Sequence, residues 1–312
     1  MGSRSIKEKL ADAAASGQVV RRAGRRLHSL FPLYRISGRG LVFENYTDRE
    51  YRRLEKKYRS VVNAAPDAPA AEQQVSNKVW ICWLQGWEQA PDIVKAAISS
   101  VRENMPGREV VLLTEENIPL YAQFSEAITK KRAQGRISDA HFSDLLRTEL
   151  LCRHGGMWID ATVLCTCSDL PDYITDAPLF VYKSIDLTGM DTPPVIASSW
   201  LISARSNHPI LLLTRELLQA YWEDHRSLSE YFVFHIFFAM AARRYPDLWN
   251  AVPTFSNACP HILAQELCAP FSEERWEQLR GMSAFHKLSH HVDYPKDGGS
   301  FCSYIIHRYL HR

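Results

Sequence analysis

The sequence predicts an α/β domain with a mainly parallel central sheet flanked by helices, and three observations carry that expectation. Short apolar runs alternate with segments of helical periodicity. Glycine and proline punctuate the alternation at Gly86, Pro106-Gly107 and Gly155-Gly156. The chain has 312 residues and is 46% apolar, enough to bury a full core.

The elements follow in order from residue 78. Val79-Trp80-Ile81-Cys82-Trp83 is a short apolar run closed by Gly86 and reads as a buried strand. Asp92 to Asn104 places apolar residues at 93, 94, 97, 98 and 101, a helical stripe. Glu109 to Leu113 is a second strand. Ile137 to His154 reads as a long helix with Gly155-Gly156 as its C-cap pair, and Met157 to Leu164 as a third strand. Leu179–Tyr182 and Val195–Ala204 read as strands, Pro209–Glu223 and Ser229–Arg244 as helices, and Asp297-Gly298-Gly299-Ser300 as a glycine-rich segment near the end. In such a sheet, ligands sit at the C-terminal ends of the strands.

Residues 1–76 read as a basic, largely helical extension with a Pro/Ala linker around Pro66 and Pro69, and residues 77–312 as the main domain. Lys and Arg exceed Asp and Glu by nine over residues 1–62, whereas the remainder carries a net charge of −7. Arg21, Arg22, Arg25 and Arg26 interleave with Val19, Val20, Leu27, Leu30 and Phe31. That basic amphipathic pattern either lies on an anionic lipid surface or forms a solvated helical face. No run approaches the roughly 18–20 apolar residues of a spanning helix, and the first residues lead into charged helical sequence, not an apolar leader. The expectation is a cytoplasmic protein, peripheral to the inner face of the plasma membrane if the arm meets lipid. The seven scattered cysteines fit buried thiols in a reducing compartment better than a disulfide framework. An acidic body without a recognisable nucleic-acid-binding motif argues against a nucleic-acid partner.

The stretch from Ser143 to Val163 concentrates the chemistry. Asp144 and Arg147 are three apart and share one helix face. An apolar strand then delivers Asp160 at its C-terminal end, where a carboxylate opposite Asp and Arg suits a metal–diphosphate or ribose site. The same residues also read as an ordinary surface pair and a turn aspartate.

Taken whole, Ser143-Asp144-x-x-Arg147, then Leu151, Gly155-Gly156, Trp158 and Asp160-Ala161-Thr162, resembles a segment of the capsular polysaccharide synthesis glycosyltransferases and of the related family that includes yeast-type α-1,6-mannosyltransferases. The resemblance extends to Trp80–Gly86 with Ala90–Val94, to Tyr231–His235 and to Phe285–Leu288, covering roughly residues 77–290. It implies a GT-A fold, a nucleotide-sugar donor, a divalent metal (Mn²⁺ or Mg²⁺) on the diphosphate, and transfer of a hexose-type unit, with retention, to a glycan or lipid-linked acceptor in capsule or lipopolysaccharide synthesis. Carried over, Asp144 and Arg147 contact ribose and donor sugar or phosphate, and Trp83 and Gln85 line the base pocket. Asp160 opens an Asp-x-Asp motif as catalytic and metal-binding residue, and Lys287 and His286 sit on the diphosphate, His286 as a metal ligand. Thr162 departs from the motif: its hydroxyl is a possible metal ligand that brings no charge, which leaves metal dependence open and admits stabilisation by Lys287 and His286 alone.

Glu230 reads either as a carboxylate near the anomeric centre or as a helix N-terminal residue offsetting the dipole. His235 reads as a packed helix histidine. His286, His290, His291 and Asp293 lack a His-Glu-x-x-His pattern and read as donor-loop residues in preference to a zinc cluster. The rival classes are a metal-dependent hydrolase and a non-catalytic scaffold of the same fold.

Overall fold

The computed structural model describes residues 32–67, 72–185, 194–291, 294 and 298–311, with side chains from residue 46 onward. The basic stretch around Arg21–Arg26, part of the Pro/Ala linker (68–71), Asp293 and Asp297 lie outside the described residues.

Helix α1 (Pro32–Ala64) precedes strand β1 (Lys78–Cys82), α2 (Asp92–Asn104) and β2 (Glu109–Leu113); α3 (Glu126–Ala133) and α4 (Asp139–His154) then lead to β3 (Gly156–Ile159). Strand β4 (Val163–Cys165), the short α5 (Asp172–Thr175), β5 (Leu179–Lys183) and β6 (Ala197–Ala204) follow. The chain continues through α6 (Pro209–Asp224), α7 (Val233–Arg244), α8 (Pro246–Asn250), α9 (Ile262–Glu266) and α10 (Glu273–Met282), and ends with β7 (Phe285–Lys287) and α11 (Phe301–Leu310).

Five strands form the central sheet in the order β2-β1-β3-β6-β5. Strands β1, β2, β3 and β5 point one way and β6 runs against them, so the sheet is mainly parallel, as the alternation of elements predicts. Pleating sends alternate side chains to opposite faces. Trp80, Trp158, Val181 and Ile202 join the core beneath α1, α4, α6 and α7. Val79, Ile81, Met157, Ile159 and Phe180 join the second core beneath α2 and α11.

The second half of α1 is part of this packing. Leu54, Tyr51 and Tyr58 are buried, and the Tyr58 ring meets Phe237 edge to face at 5.5 Å while its hydroxyl donates to Asp224. Among the described residues no helix is long and apolar enough to cross a membrane.

Two sequence expectations are corrected. The single strand expected over Met157–Leu164 is two strands in different sheets. The chain turns at Asp160, whose carbonyl accepts from Val163 N at 2.9 Å, and β4 then pairs antiparallel with β7 in a separate two-stranded sheet. The helix expected from Ser229 begins at Val233, because the Glu230 side chain takes up the backbone N–H groups of Tyr231 and Phe232 and holds residues 230–232 in a turn.

Gly155 and Gly156 set the spacing between α4 and the sheet. Both have positive φ (64° and 95°), and a Cβ on Gly156 would stand 2.3 Å from the Lys78 carbonyl oxygen. Only glycine lets β3 lie this close beside β1. The buried Trp80 indole donates to the Gly155 carbonyl at 2.9 Å and fastens the same turn.

Candidate active site

Strand β1 connects through α2 to β2 on one side, and the chain then returns to place β3 on the other side of β1. A crevice opens at such a reversal, beyond the C-terminal ends of the two strands. It is a cleft of about 250 Å³, with Trp83 after β1, Asp160 after β3, Asp144 and Arg147 from α4, and Lys287 from β7 on its walls.

Each wall residue follows from local geometry. Asp144 and Arg147 share a face of α4 one turn apart, and that face lies over the end of β3. Trp158 and Asp160 are two apart along the strand direction, so both turn to the α4 side. The β4–β7 pairing sets Val163 opposite Lys287, and Leu288 N donates to the Thr162 carbonyl at 2.9 Å. A residue 127 positions later thereby arrives beside the Asp160 turn.

Asp160 is the hub. Its Oδ1 accepts from the Trp158 indole at 2.9 Å and from Arg147 Nη2 at 3.3 Å, and its Oδ2 accepts from Lys287 Nζ at 3.0 Å. Lys287 Nζ also donates to Thr162 Oγ1 at 2.6 Å. Arg147, 4% exposed, reaches back to Asp144 Oδ1 at 2.9 Å, and His141 Nδ1 stands 3.4 Å from Asp144 Oδ2. The guanidinium is sandwiched over the rings of Trp158 (5.1 Å) and Phe234 (5.5 Å), which a planar, weakly hydrated cation tolerates.

Burial alone would raise the Asp160 carboxyl, but Lys287, Arg147 and the Trp158 hydrogen bond outweigh it and hold the group below its ordinary value. Asp160 is therefore a carboxylate at neutral pH. His235, also on the cleft wall, is pushed down to about 4 by burial and stays neutral.

Among the described residues, Trp83 Nε1, Arg147 Nε and His235 Nδ1 on this cleft are buried without a hydrogen-bond partner, and Arg147 Nη1 meets Asp144 only as an ion pair. Buried polar hydrogens are nearly always satisfied, so donors on a cleft wall mark where a ligand's acceptors belong.

The structure brings together Trp83, Asp144, Arg147, Asp160, Thr162 and Lys287 of the residues singled out from sequence. It separates three others. Gln85 is exposed on the turn that ends β1, where strand alternation has already stopped, and does not line the cleft. His286 is fully buried on the opposite side of β7 from Lys287; its Nε2 lies 3.3 Å from Thr166 Oγ1, and burial pushes it down to about 4. It cannot join Asp160 around one ion. Glu230 is 7% exposed and caps the turn before α7; it is not among the residues lining the cleft, though its neighbour Tyr231 is.

Sequence reasoning missed Trp158 and His141, whereas His290, read from sequence as a donor-loop residue, does line the cleft. The i, i+2 spacing of Trp158 to Asp160 and the i, i+3 spacing of His141 to Asp144 were the available signals. His290 packs edge to face against Trp83 at 5.3 Å and also lines a neighbouring hollow of about 980 Å³ containing Phe271, Tyr294 and Tyr304.

The resemblance implies a divalent metal on the diphosphate. Mg²⁺ or Mn²⁺ takes about six ligands, mainly oxygens, several of them from waters and phosphates. The oxygens offered here by Asp160 and Thr162 already accept from Lys287, Arg147 and Trp158, and an ammonium stands between the two side chains an ion would bridge. Among the described residues no group of three or more His, Cys, Asp or Glu is placed to hold a metal ion. These residues do not fit the ion.

A family model described as "Capsular polysaccharide synthesis protein" matches residues 40–305. No curated protein matches the chain. A solved structure named "PaToxG Glycosyltransferase" is similar at a TM-score of 0.37 and 13% identity, over 66% of this chain and 83% of that one.

Proposed function

The chain belongs to the capsular polysaccharide synthesis family, and from that premise we propose that it is a glycosyltransferase of GT-A type, moving a hexose-type unit from a nucleotide-diphosphate donor to a growing surface polysaccharide. The observation that carries this reading is the cleft at the ends of β1 and β3. There two cations, Arg147 and Lys287, are held by carboxylates beside the unpartnered donors Trp83 Nε1 and Arg147 Nε.

Departure of a nucleoside diphosphate from a sugar builds negative charge on phosphate oxygens as the glycosidic bond breaks. Fixed cations and N–H groups aimed at that charge stabilise the transition state without reorganising. In this reading Asp160 and Asp144 position the cations, and Arg147 and Lys287 meet the diphosphate. Trp83 offers its ring to the base and its indole N–H to a polar atom of the donor. The half-enclosed cleft keeps water from competing with the acceptor. Retention of anomeric configuration follows the family resemblance and is checked by assigning the product anomer. The aromatic hollow beyond His290 provides ring faces for an acceptor glycan. The basic arm, with its excess of cations over residues 1–62, supports a place at the inner membrane face next to a lipid-linked acceptor.

The test is calorimetry or thermal shift with UDP, GDP, CMP and their sugar conjugates. Micromolar binding of one nucleotide family, with a rise in thermal midpoint that grows with ligand concentration, is the expected outcome. No binding by any of them would move the assignment to a non-catalytic scaffold.

A further inference from the structure

We propose that Lys287 is the resident cation of this site, standing where a divalent metal would otherwise bridge Asp160, Thr162 and the diphosphate, so that the donor binds without a metal. The inference rests on the reading of the cleft as a donor site and adds what neutralises the phosphates there.

Position is the first argument. Lys287 Nζ lies 3.0 Å from Asp160 Oδ2 and 2.6 Å from Thr162 Oγ1, the two side chains that flank the turn after β3. Its placement is structural, because β7 pairs with β4 residue by residue from Val163 to Cys165 and Leu288 N is bonded to the Thr162 carbonyl. Charge is the second. Two carboxylates with one divalent ion sum to zero, and so do one carboxylate and one ammonium. The hydroxyl at Thr162 and the ammonium at Lys287 are therefore matched changes, each removing one unit of charge from an otherwise identical balance. A second carboxylate at 162 would have left Lys287 short by one charge, and a metal would have left Asp160 short by one.

Valence is the third. An ammonium has three N–H groups. Asp160 and Thr162 take two, and the side chain remains partly exposed, at 22%, on the cleft wall. The third N–H is available to a phosphate oxygen. Arg147 completes the cationic surface from the opposite side of Asp160, with Nη2 at 3.3 Å.

The experiment is calorimetric titration of UDP and GDP into the full chain in EDTA and in Mn²⁺, together with Mn²⁺ alone, for the wild type, Lys287→Ala and Lys287→Arg. The wild type is expected to bind its nucleotide in EDTA with an affinity within about twofold of that in Mn²⁺, and to take up no Mn²⁺ on its own. Lys287→Ala is expected to lose about tenfold or more in EDTA, the worth of one charged hydrogen bond, and to regain part of it with Mn²⁺ at the vacated Asp160–Thr162 pair. Lys287→Arg, which keeps the charge but not the compact ammonium, should fall between the two and carries the test if the alanine variant loses its thermal transition. Nucleotide binding by the wild type that requires Mn²⁺, or full affinity of Lys287→Ala in EDTA, would overturn the lysine-for-metal assignment and leave the transferase reading standing. No nucleotide binding in either buffer would overturn the donor site itself.

Discussion

Asp160, partly buried, and Glu230, buried, are carboxylates that the sequence offered for catalysis, and their surroundings give them different work. Asp160 is held ionised by Lys287 and Arg147 on the wall of the cleft. Glu230 Oε1 accepts from Tyr231 N at 2.8 Å and from Phe232 N at 3.5 Å, the role of a turn cap. Glutamine keeps a carbonyl oxygen in the same place. The variant Glu230→Gln is therefore expected to turn over within a few-fold of wild type and to lose about 1 kcal/mol of stability or less. A fall in kcat of a hundredfold or more, with an unchanged denaturation midpoint, would restore Glu230 to the chemistry. Arg147 shows the same dependence on neighbours: its charge is usable in a half-enclosed site because Asp144, Asp160 and two aromatic rings share the cost of burying it.

At the scale of elements, the site depends on how closely β3 lies beside β1 and how firmly β7 is clasped to β4. Gly156 controls the first. Alanine there would press a Cβ to 2.3 Å from the Lys78 carbonyl oxygen, which is backbone and has little room to yield, at a φ of 95° that L side chains rarely adopt. Gly156→Ala is expected to destabilise the protein by about 2–4 kcal/mol, read from the shift of the urea midpoint, and to lower nucleotide affinity by moving Asp160. The β4–β7 clasp controls the second. It consists of three residue pairs and two flanking backbone bonds, and it carries Lys287 to Asp160 across the sequence.

At the scale of the whole molecule, histidines distributed through the fold contribute to its response to acid. His208 and His286 are buried and His235 is partly buried, and each is pushed down to about 4 by loss of hydration. Burial lowers His225 and His290 in the same direction. The unfolded chain protonates such residues near 6.5, so between pH 6.5 and pH 4 the unfolded state binds more protons than the native one. Stability is then fully present above pH 6.5 and falls as the pH drops toward 4. Asp160 behaves with the same sign in a lower window, since its depressed carboxyl contributes above its ordinary 3.8 and is lost below it. The thermal midpoint is expected to decline steadily from pH 7 to pH 4.5, and His208→Phe, remote from the cleft, should make that slope shallower. A flat profile over that range would mean that the native state accommodates the charged imidazoles.

Much of this molecule was determined by sequence alone. Alternating apolar runs and helical stripes specify the α/β class, since burial periodicity is a local property of the chain. The spacing of Asp144 and Arg147, and a carboxylate at the end of an apolar strand, specify which side chains meet at one end of the sheet, because helix and strand periods are short-range geometry. The break of the third strand at Asp160, the turn role of Glu230 and the opposite orientations of His286 and Lys287 were decided in the folded structure. The first and third depend on which face of an element a distant segment covers, whereas the Glu230 turn is a local competition between a side-chain cap and a helical start. Strand β7 pairs with β4 in one register, and in that register Lys287 faces Asp160 while His286 enters the core; a shift of one residue would exchange them. Adjacent residues at 286 and 287 look equally suited to a diphosphate when read as sequence, and only the pleat of a strand paired more than a hundred residues away separates the one that meets the site from the one that supports it.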